Sequence, residues 1–223
     1  QVAARIHNPT TRPERFLQMA AEDNLRIANC TTAAQYFHIL RRQAQLLRLE
    51  PRPLVLFTPK SLLRHPLAMA TAEELSEGRF QPVIDDREAR AAPGAVRRLI
   101  LCSGHIYVDL AAARQRAKGA PSPVAIVRVE ELYPFPASEI ERIIAGYPNL
   151  AELAWVQEEP RNLGGWTYVA PRLRDLLDGR WPLLYVGRTR RASPAEGAYE
   201  WHAREQARVV ADALALPRAV GRG

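Results

Sequence analysis

The chain has 223 residues, 47% of them apolar, and carries a net charge of +7. That length and apolar share support a sizeable core in one domain or one and a half, and they exclude an intrinsically disordered chain. No apolar run approaches the roughly 20 residues needed to cross a bilayer, and the opening Q-V-A-A-R-I-H-N-P lacks the pattern of a secretory signal.

The chain starts at Gln1 rather than at Met, which reads as part of a longer polypeptide. Of 31 basic residues only Lys60 and Lys118 are lysine. The arginines (Arg5, Arg12, Arg41, Arg64, Arg97 and Arg98 among them) are scattered between acids, so no basic block of the kind that tracks nucleic acid forms. Neither a nucleic-acid nor a membrane partner is expected. Cys30 and Cys102 lie far apart without CxxC spacing, and read as buried thiols in a reducing, cytoplasmic compartment.

In chain order, residues 13–23 read as a helix with Pro13 in its first turn, and 25–30 as a short strand. Thr32 and Gln35 have capping-box spacing. The helix they open places Phe37, Leu40, Ala44 and Leu47 on one core-facing stripe with His38 at its border. Residues 52–58 form an apolar strand stopped by Pro59, its unbroken run predicting burial on both faces. Periodicity then fades over 61–96. Within that stretch 85–94 is polar and ends in Pro-Gly, which predicts an exposed linker with a boundary near 95.

Beyond it, strands at 98–102, 123–129, 151–156 and 183–186 alternate with helices at 106–116, 138–145, 166–177 and 199–214. Ser138 and Glu141 again have capping-box spacing. Strand and helix in repeated alternation predict an α/β fold of βαβ units, a mostly parallel sheet and helices on both faces. Residues 216–223 read as a tail.

Candidate chemistry is sparse. Glu158 and Glu159 stand side by side in W-V-Q-E-E-P-R-N-L-G-G-W. Neighbours on a strand face opposite ways, so the pair is expected where the strand leaves the sheet. There one Glu would cap the turn and the other meet an arginine, with Gly164 and Gly165 making the turn tight. Ser103, Gly104 and His105 bridge strand and helix, with Ser103 as the expected N-cap. Lys60, Arg64 and His65 form a cationic loop. The loop at 188–191, with Arg188, Arg190 and Arg191, suits either an anion or surface ion pairs. No histidine stands at metal-ligand spacing with another histidine, a cysteine or an acid in a known pattern. The residues alone give no complete catalytic constellation.

Several stretches taken together are more specific. They are R-P-E-R-F-L-Q at 12–18, A-A-Q-Y-F-H-I-L-R-R at 33–42, F-T-P-K-S-L-L-R-H-P at 57–66, I-V-R-V-E-E-L-Y-P-F-P at 126–136, V-Q-E-E-P-R-N-L-G-G-W at 156–166 and S-P-A-E-G at 193–197. In this order they resemble the C-terminal part of the first component of 2-oxoglutarate dehydrogenase, the thiamine-diphosphate-dependent decarboxylating enzyme.

The resemblance implies that residues 1–60 end the domain that binds the cofactor's pyrimidine ring. It makes 61–96 a linker, 97–215 a transketolase-type C-terminal domain and 216–223 a tail. It implies thiamine diphosphate and Mg bound mainly by residues outside this chain, since no Gly-Asp-Gly stretch occurs here. It also implies a homodimer, a dihydrolipoyl succinyltransferase partner and 2-oxoglutarate as substrate, with no catalytic or cofactor-binding residue in this chain. The family's substrate-facing histidine falls in register at Asn8, and His7 stands one residue early. Some relatives bind acetyl-CoA as an activator. Arg42 matches one such position and Arg79 keeps the charge of another, whereas Pro82, Ser138 and Glu139 do not match. Glu158, Glu159, Asn162, Gly164 and Gly165 are then expected in a structural or interface loop.

Overall fold

The computed structural model describes residues 12–117, 121–193 and 197–215. The expectations for His7, Asn8, the middle of S-P-A-E-G and the tail lie outside the described residues.

In chain order the elements are α1 (Pro13–Gln18), β1 (Arg26–Asn29), α2 (Ala33–Leu46), β2 (Leu54–Phe57), α3 (Ala72–Ser76), β3 (Val83–Ile84), α4 (Arg87–Arg90), β4 (Arg98–Cys102), α5 (Ile106–Arg116), β5 (Val124–Val129), β6 (Glu131–Tyr133), α6 (Ala137–Ala145), β7 (Glu152–Pro160), α7 (Trp166–Leu177), β8 (Leu183–Arg188) and α8 (Tyr199–Leu214). A five-stranded sheet runs β3-β5-β4-β7-β8, and a three-stranded sheet runs β2-β1-β6. In the larger sheet β5, β4, β7 and β8 are parallel and only β3 is antiparallel.

Alternation along the parallel strands sorts the core onto two faces. Ile100, Cys102, Ile126, Ala154 and Val156 pack with Ile106 and Leu110 of α5 and with Val209 and Ala213 of α8. Leu99, Leu101, Val127, Leu153 and Trp155 pack the other way, against α6 and α7. Both faces are covered, so these strands are apolar almost throughout. Each fully buried Ile or Leu contributes about 1.5–3 kcal/mol.

The smaller sheet joins the α6/α7 core through Ile27, Phe57 and Tyr133. The junction centres on Glu130, which is fully buried. Its carboxylate accepts from Thr31 N at 2.8 Å and from the Thr31 hydroxyl. Arg128 Nη1 in turn donates to that hydroxyl at 3.0 Å.

Several boundaries differ from the sequence expectation. Helix α1 stops at Gln18, because Glu22 and Asp23 adopt left-handed φ of 52° and 56° and turn the chain early. Thr32 caps α2 by accepting from Gln35 N, but the Gln35 side chain accepts instead from Gln81 N at 3.0 Å, so only half of the box forms. Ser138 heads no box: α6 starts at Ala137 after Pro136 without a side-chain cap. A complete box occurs at Thr71 and Glu74.

The stripe expected on α2 is exposed. Phe37 is 44%, Leu40 43% and Leu47 56% accessible, while Gln35, His38 and Ile39 are buried. The cause is α3 and the segment after it, which lie along α2 and offer it backbone groups. His38 Nε2 meets Glu74 O at 2.8 Å and Arg41 Nη2 donates to Gly78 O at 2.8 Å. His38 is therefore a core residue with a partner rather than a border residue. Strand β2 edges the small sheet, so Leu54, Val55 and Leu56 are half-buried instead of covered on both faces.

The polar stretch 85–94 is exposed at Arg87, Glu88, Arg90, Ala91 and Gly94, as expected, but it is anchored through Asp86 and Ala89. Asp86 is buried. Its Oδ1 caps α4 through Glu88 N and Ala89 N, its Oδ2 accepts from Ile126 N at 2.7 Å, and it pairs with Arg114.

Two measurements check this packing. In urea unfolding, Ile39→Ala lowers stability by about 2–5 kcal/mol, whereas Leu40→Ala changes it by about 0.5 kcal/mol or less. Equal losses would mean the exposed stripe is covered. Burial raises the Glu130 carboxyl pKa above its ordinary value of 4.5, against the opposing effect of Arg128. A raised folded pKa stabilises most below the unfolded value, and that contribution is lost as pH rises through the folded one. Relative to wild type, Glu130→Gln therefore gains stability as pH rises above the ordinary carboxylate value in a stability–pH profile. A parallel pair of profiles would remove this role.

Candidate functional site

The carboxyl ends of parallel strands are where α/β folds assemble ligand sites, and here that end gathers the unusual polar groups. After β4, Gly104 takes a left-handed φ of 70°, and a Cβ there would collide with the Asn29 amide, so the turn needs glycine. Ser103 is not the cap: α5 begins at Ile106 with His105 in the cap position, and the Ser103 hydroxyl is buried without a hydrogen-bond partner.

His105 Nδ1 lies 3.1 Å from Glu158 Oε1 and 3.8 Å from Asp109 Oδ2, one helical turn on. From α8, Gln206 Nε2 donates to both acids, at 2.7 Å to Glu158 Oε1 and 2.8 Å to Asp109 Oδ2. Beside them Arg188 ends β8 at 1% exposure, its Nη2 2.8 Å from His202 Nδ1, one turn before Gln206. The Arg188 Nε and Nη1 have no hydrogen-bond partner. Arg188, expected in a surface loop, is thus an interior residue, while Arg190 and Arg191 are exposed.

Glu158 and Glu159 do not lie in a loop. Strand β7 continues through them to Pro160, with an irregular register against β8 between Val156 and Pro160. Glu158 follows Ala154 and Val156 toward α5 and α8, so the two glutamates do not converge on one atom.

The turn that follows is held by Gln157, which sequence reasoning missed. Its Oε1 accepts from Trp155 Nε1 and Trp166 N, both at 2.9 Å. Its Nε2 donates to the carbonyls of Glu159, Pro160 and Leu163. The signal was present: Gln157 sits two residues after a buried Trp, hence on the same face, just before a glycine turn. Gly164 has a left-handed φ of 69° and donates its N–H to Glu14 Oε2 at 2.9 Å. Gly165 approaches the Trp155 ring so closely that a Cβ would stand 3.1 Å from it. Asn162 exchanges two 2.9 Å bonds with the Arg191 backbone and ties the turn to the basic loop.

The other candidates lie apart from this cluster. Arg42 makes a two-pronged pair with Glu131 and stacks on Phe80, with its guanidinium carbon 4.3 Å from the ring centroid. Arg79, the residue before that ring, is exposed. Ser138 and Glu139 sit in the first turn of α6, and the Pro82 carbonyl accepts from Glu130 N and Glu131 N. His65 accepts from Leu67 N at 3.2 Å and so caps a short 3-10 turn. Burial pushes the Cys30 and Cys102 thiols well above the ordinary range, which leaves them inert as nucleophiles.

Gln157→Leu keeps much of the volume but strands the Trp155 indole N–H, the Trp166 N–H and the Leu163 carbonyl, while the Glu159 and Pro160 carbonyls keep Tyr185 Oη and Leu163 N as donors. It lowers stability by at least about 3 kcal/mol in urea unfolding, against about 1 kcal/mol for Asn162→Ala at the exposed clip. Similar small losses for both would move the support of the turn elsewhere.

A family model described as 2-oxoglutarate dehydrogenase C-terminal matches residues 69–214, well over half of the chain. The 2-oxoglutarate dehydrogenase E1 component of Bacillus mycoides (strain KBAB4) is 53% identical over 208 residues, covering 92% of this chain and 22% of that protein. The E1 component of Geobacillus sp. (strain WCH70) is 53% identical over 204 residues, covering 91% and 21%. The chain thus spans about a fifth of the length of these relatives. Among solved structures, a split-gene transketolase described as an inactive beta4 tetramer superposes with a TM-score of 0.58 at 14% identity, covering 91% of this chain and 62% of that one. That likeness concerns the fold: an α/β architecture with a parallel sheet of transketolase type. The chain belongs to the 2-oxoglutarate dehydrogenase E1 family and corresponds to its C-terminal part.

Proposed function

We propose that this chain works as the C-terminal part of a thiamine-diphosphate-dependent enzyme. That enzyme decarboxylates 2-oxoglutarate and passes the succinyl group to the lipoyl carrier of a dihydrolipoyl succinyltransferase, in the cytoplasm. The observation that carries this reading is 53% identity along nine-tenths of the chain to E1 components. In it residues 1–60 complete the pyrimidine-binding domain, 61–96 bridge, and 97–215 form the C-terminal domain.

The residues present do not fit the cofactor itself. A diphosphate with its Mg ion needs a cluster of oxygen donors, and no Gly-Asp-Gly stretch occurs. Among the described residues the group able to hold a metal is His105, Asp109 and Glu158, tied to the C-terminal helix rather than to the small sheet. Thiamine chemistry therefore belongs to other parts of the enzyme, and this chain supplies shape and contacts.

Its contacts in this reading include a second copy, as in the family homodimer. The exposed Phe37, Leu40 and Leu47 on α2 support an apolar contact there. The same row would serve a purely structural assembly module of this ancestry.

Acetyl-CoA regulation is proposed at Arg42 and Arg79. An anionic ligand would compete with Glu131 for the Arg42 fork. Arg42→Ala weakens acetyl-CoA binding in calorimetry; equal affinities remove Arg42 from the site.

An antibody against residues 97–215 detects a polypeptide several times heavier than 25.0 kDa in native lysate. The purified 223-residue chain shows no thiamine diphosphate binding with Mg in calorimetry. A native band at that small mass, or binding by the chain alone, would overturn the reading.

A further inference from the structure

We propose that His105, Asp109, Glu158 and Gln206 form a binding site for a single divalent first-row transition ion, with Zn2+ the best fit. The ligand atoms of His105, Asp109 and Glu158 all lie within 4.8 Å of one another. Tetrahedral coordination at about 2.0–2.2 Å separates donor atoms by about 3.3–3.6 Å. The measured 3.1 Å and 3.8 Å from His105 Nδ1 to the two carboxylates straddle that edge. Rotamer adjustments of a few tenths of an ångström would close the set.

The framework that places these donors is stiff. Pairing of Cys102 with Val156 fixes the end of β4 against β7. His105 lies just beyond one strand and Glu158 two residues along the other. Asp109 follows His105 by one helical turn, on the same side of α5.

Gln206 is the second, independent observation. Its amide nitrogen spans both carboxylates, while its carbonyl oxygen is buried with no hydrogen-bond partner. Half a turn about the terminal torsion exchanges the two atoms. The amide then stops donating to the acids and presents its oxygen as a fourth ligand. In one orientation Gln206 holds two like charges together, and in the other it completes the coordination sphere.

The donor chemistry selects the ion. An imidazole nitrogen with carboxylate and amide oxygens suits Zn2+ and its first-row neighbours, whereas Ca2+ and Mg2+ favour all-oxygen sets. A dication also neutralises the two carboxylates. Side-chain exposures of 23% at His105, 34% at Asp109 and 9% at Glu158 leave a path from solvent while shielding most of the site. Filled, the site would pin the start of α5 and the middle of α8 to the end of β7. This is a structural staple, independent of any thiamine chemistry.

The test is competition of the chelator-treated protein with a chromophoric zinc chelator, paired with a thermal melt. Wild type takes up one equivalent of Zn2+ and gains several degrees in melting temperature. His105→Gln and Asp109→Asn, which keep hydrogen-bonding capacity, bind at least about tenfold more weakly and lose the thermal gain. Gln206→Glu, which supplies a carboxylate in place of the amide, binds more tightly. X-ray absorption at the zinc edge shows only nitrogen and oxygen ligands. Uptake that is absent, unchanged in these variants, or sulfur-ligated would overturn the site.

Discussion

Strand β7 lies inside the sheet, between β4 and β8, with α7 packed on one face and α5 and α8 on the other, so neither face is left to water. Its two-residue alternation therefore decides where each side chain must find partners. Trp155 and Gln157 go to the α7 side; Val156 and Glu158 go to the α5 and α8 side. Buried amides and carboxylates cannot stay unpaired without a cost of several kcal/mol. Gln157 meets that demand by closing the turn into α7, and Glu158 by engaging His105 and Gln206. The adjacent glutamates cannot act together on one atom. Residues from different elements can, and that is how the polar cluster forms.

The same demand accounts for part of the arginine excess. Arg26, Arg98 and Arg188 are buried, and Arg42 and Arg114 reach inward to the buried acids Glu131 and Asp86. Arg98 bonds Glu152 and the carbonyls of Asp212 and Ala213, which locks the end of α8 onto the start of β4. A planar guanidinium meets carboxylates and carbonyls with several donors at once. A basic total built partly from interior clamps is a weak footprint for polyanion binding.

What could be read from the sequence was what depends on period and local order. The strands at 98–102 and 123–129, the helices after them and the two-faced parallel sheet follow from apolar alternation and turn spacing. What could not be read depends on contacts distant in sequence. Asp86 looks like a solvated linker residue until Arg114 and the Ile126 N–H are placed beside it. The α2 stripe has the right spacing, but the segment at 74–81 covers the neighbouring face. The polar Q-E-E marks a strand end at 156 in the sequence, but partners such as Gln206, His105 and the Trp166 N–H suit Gln157 and Glu158 to an interior. The T-A-E-E box at 71–74, by contrast, was legible and went unread.

The two sheets differ in how completely they bury themselves. The five-stranded sheet has helices on both faces and a central strand buried along its whole length. The three-stranded sheet has a half-buried edge strand and, beside it, most of the exposed large apolar side chains among the described residues, from Tyr36 through Leu49 to Met69. Isolated apolar side chains on a surface need no explanation, but a helical row of them beside an open sheet edge does. The fold thus joins a sheet covered on both faces, whose strand ends carry the His105 cluster, to a smaller sheet with a half-buried edge strand and an exposed apolar row beside it. The junction between them is made by Glu130 and Thr31, a fully buried bond network rather than a flexible tether.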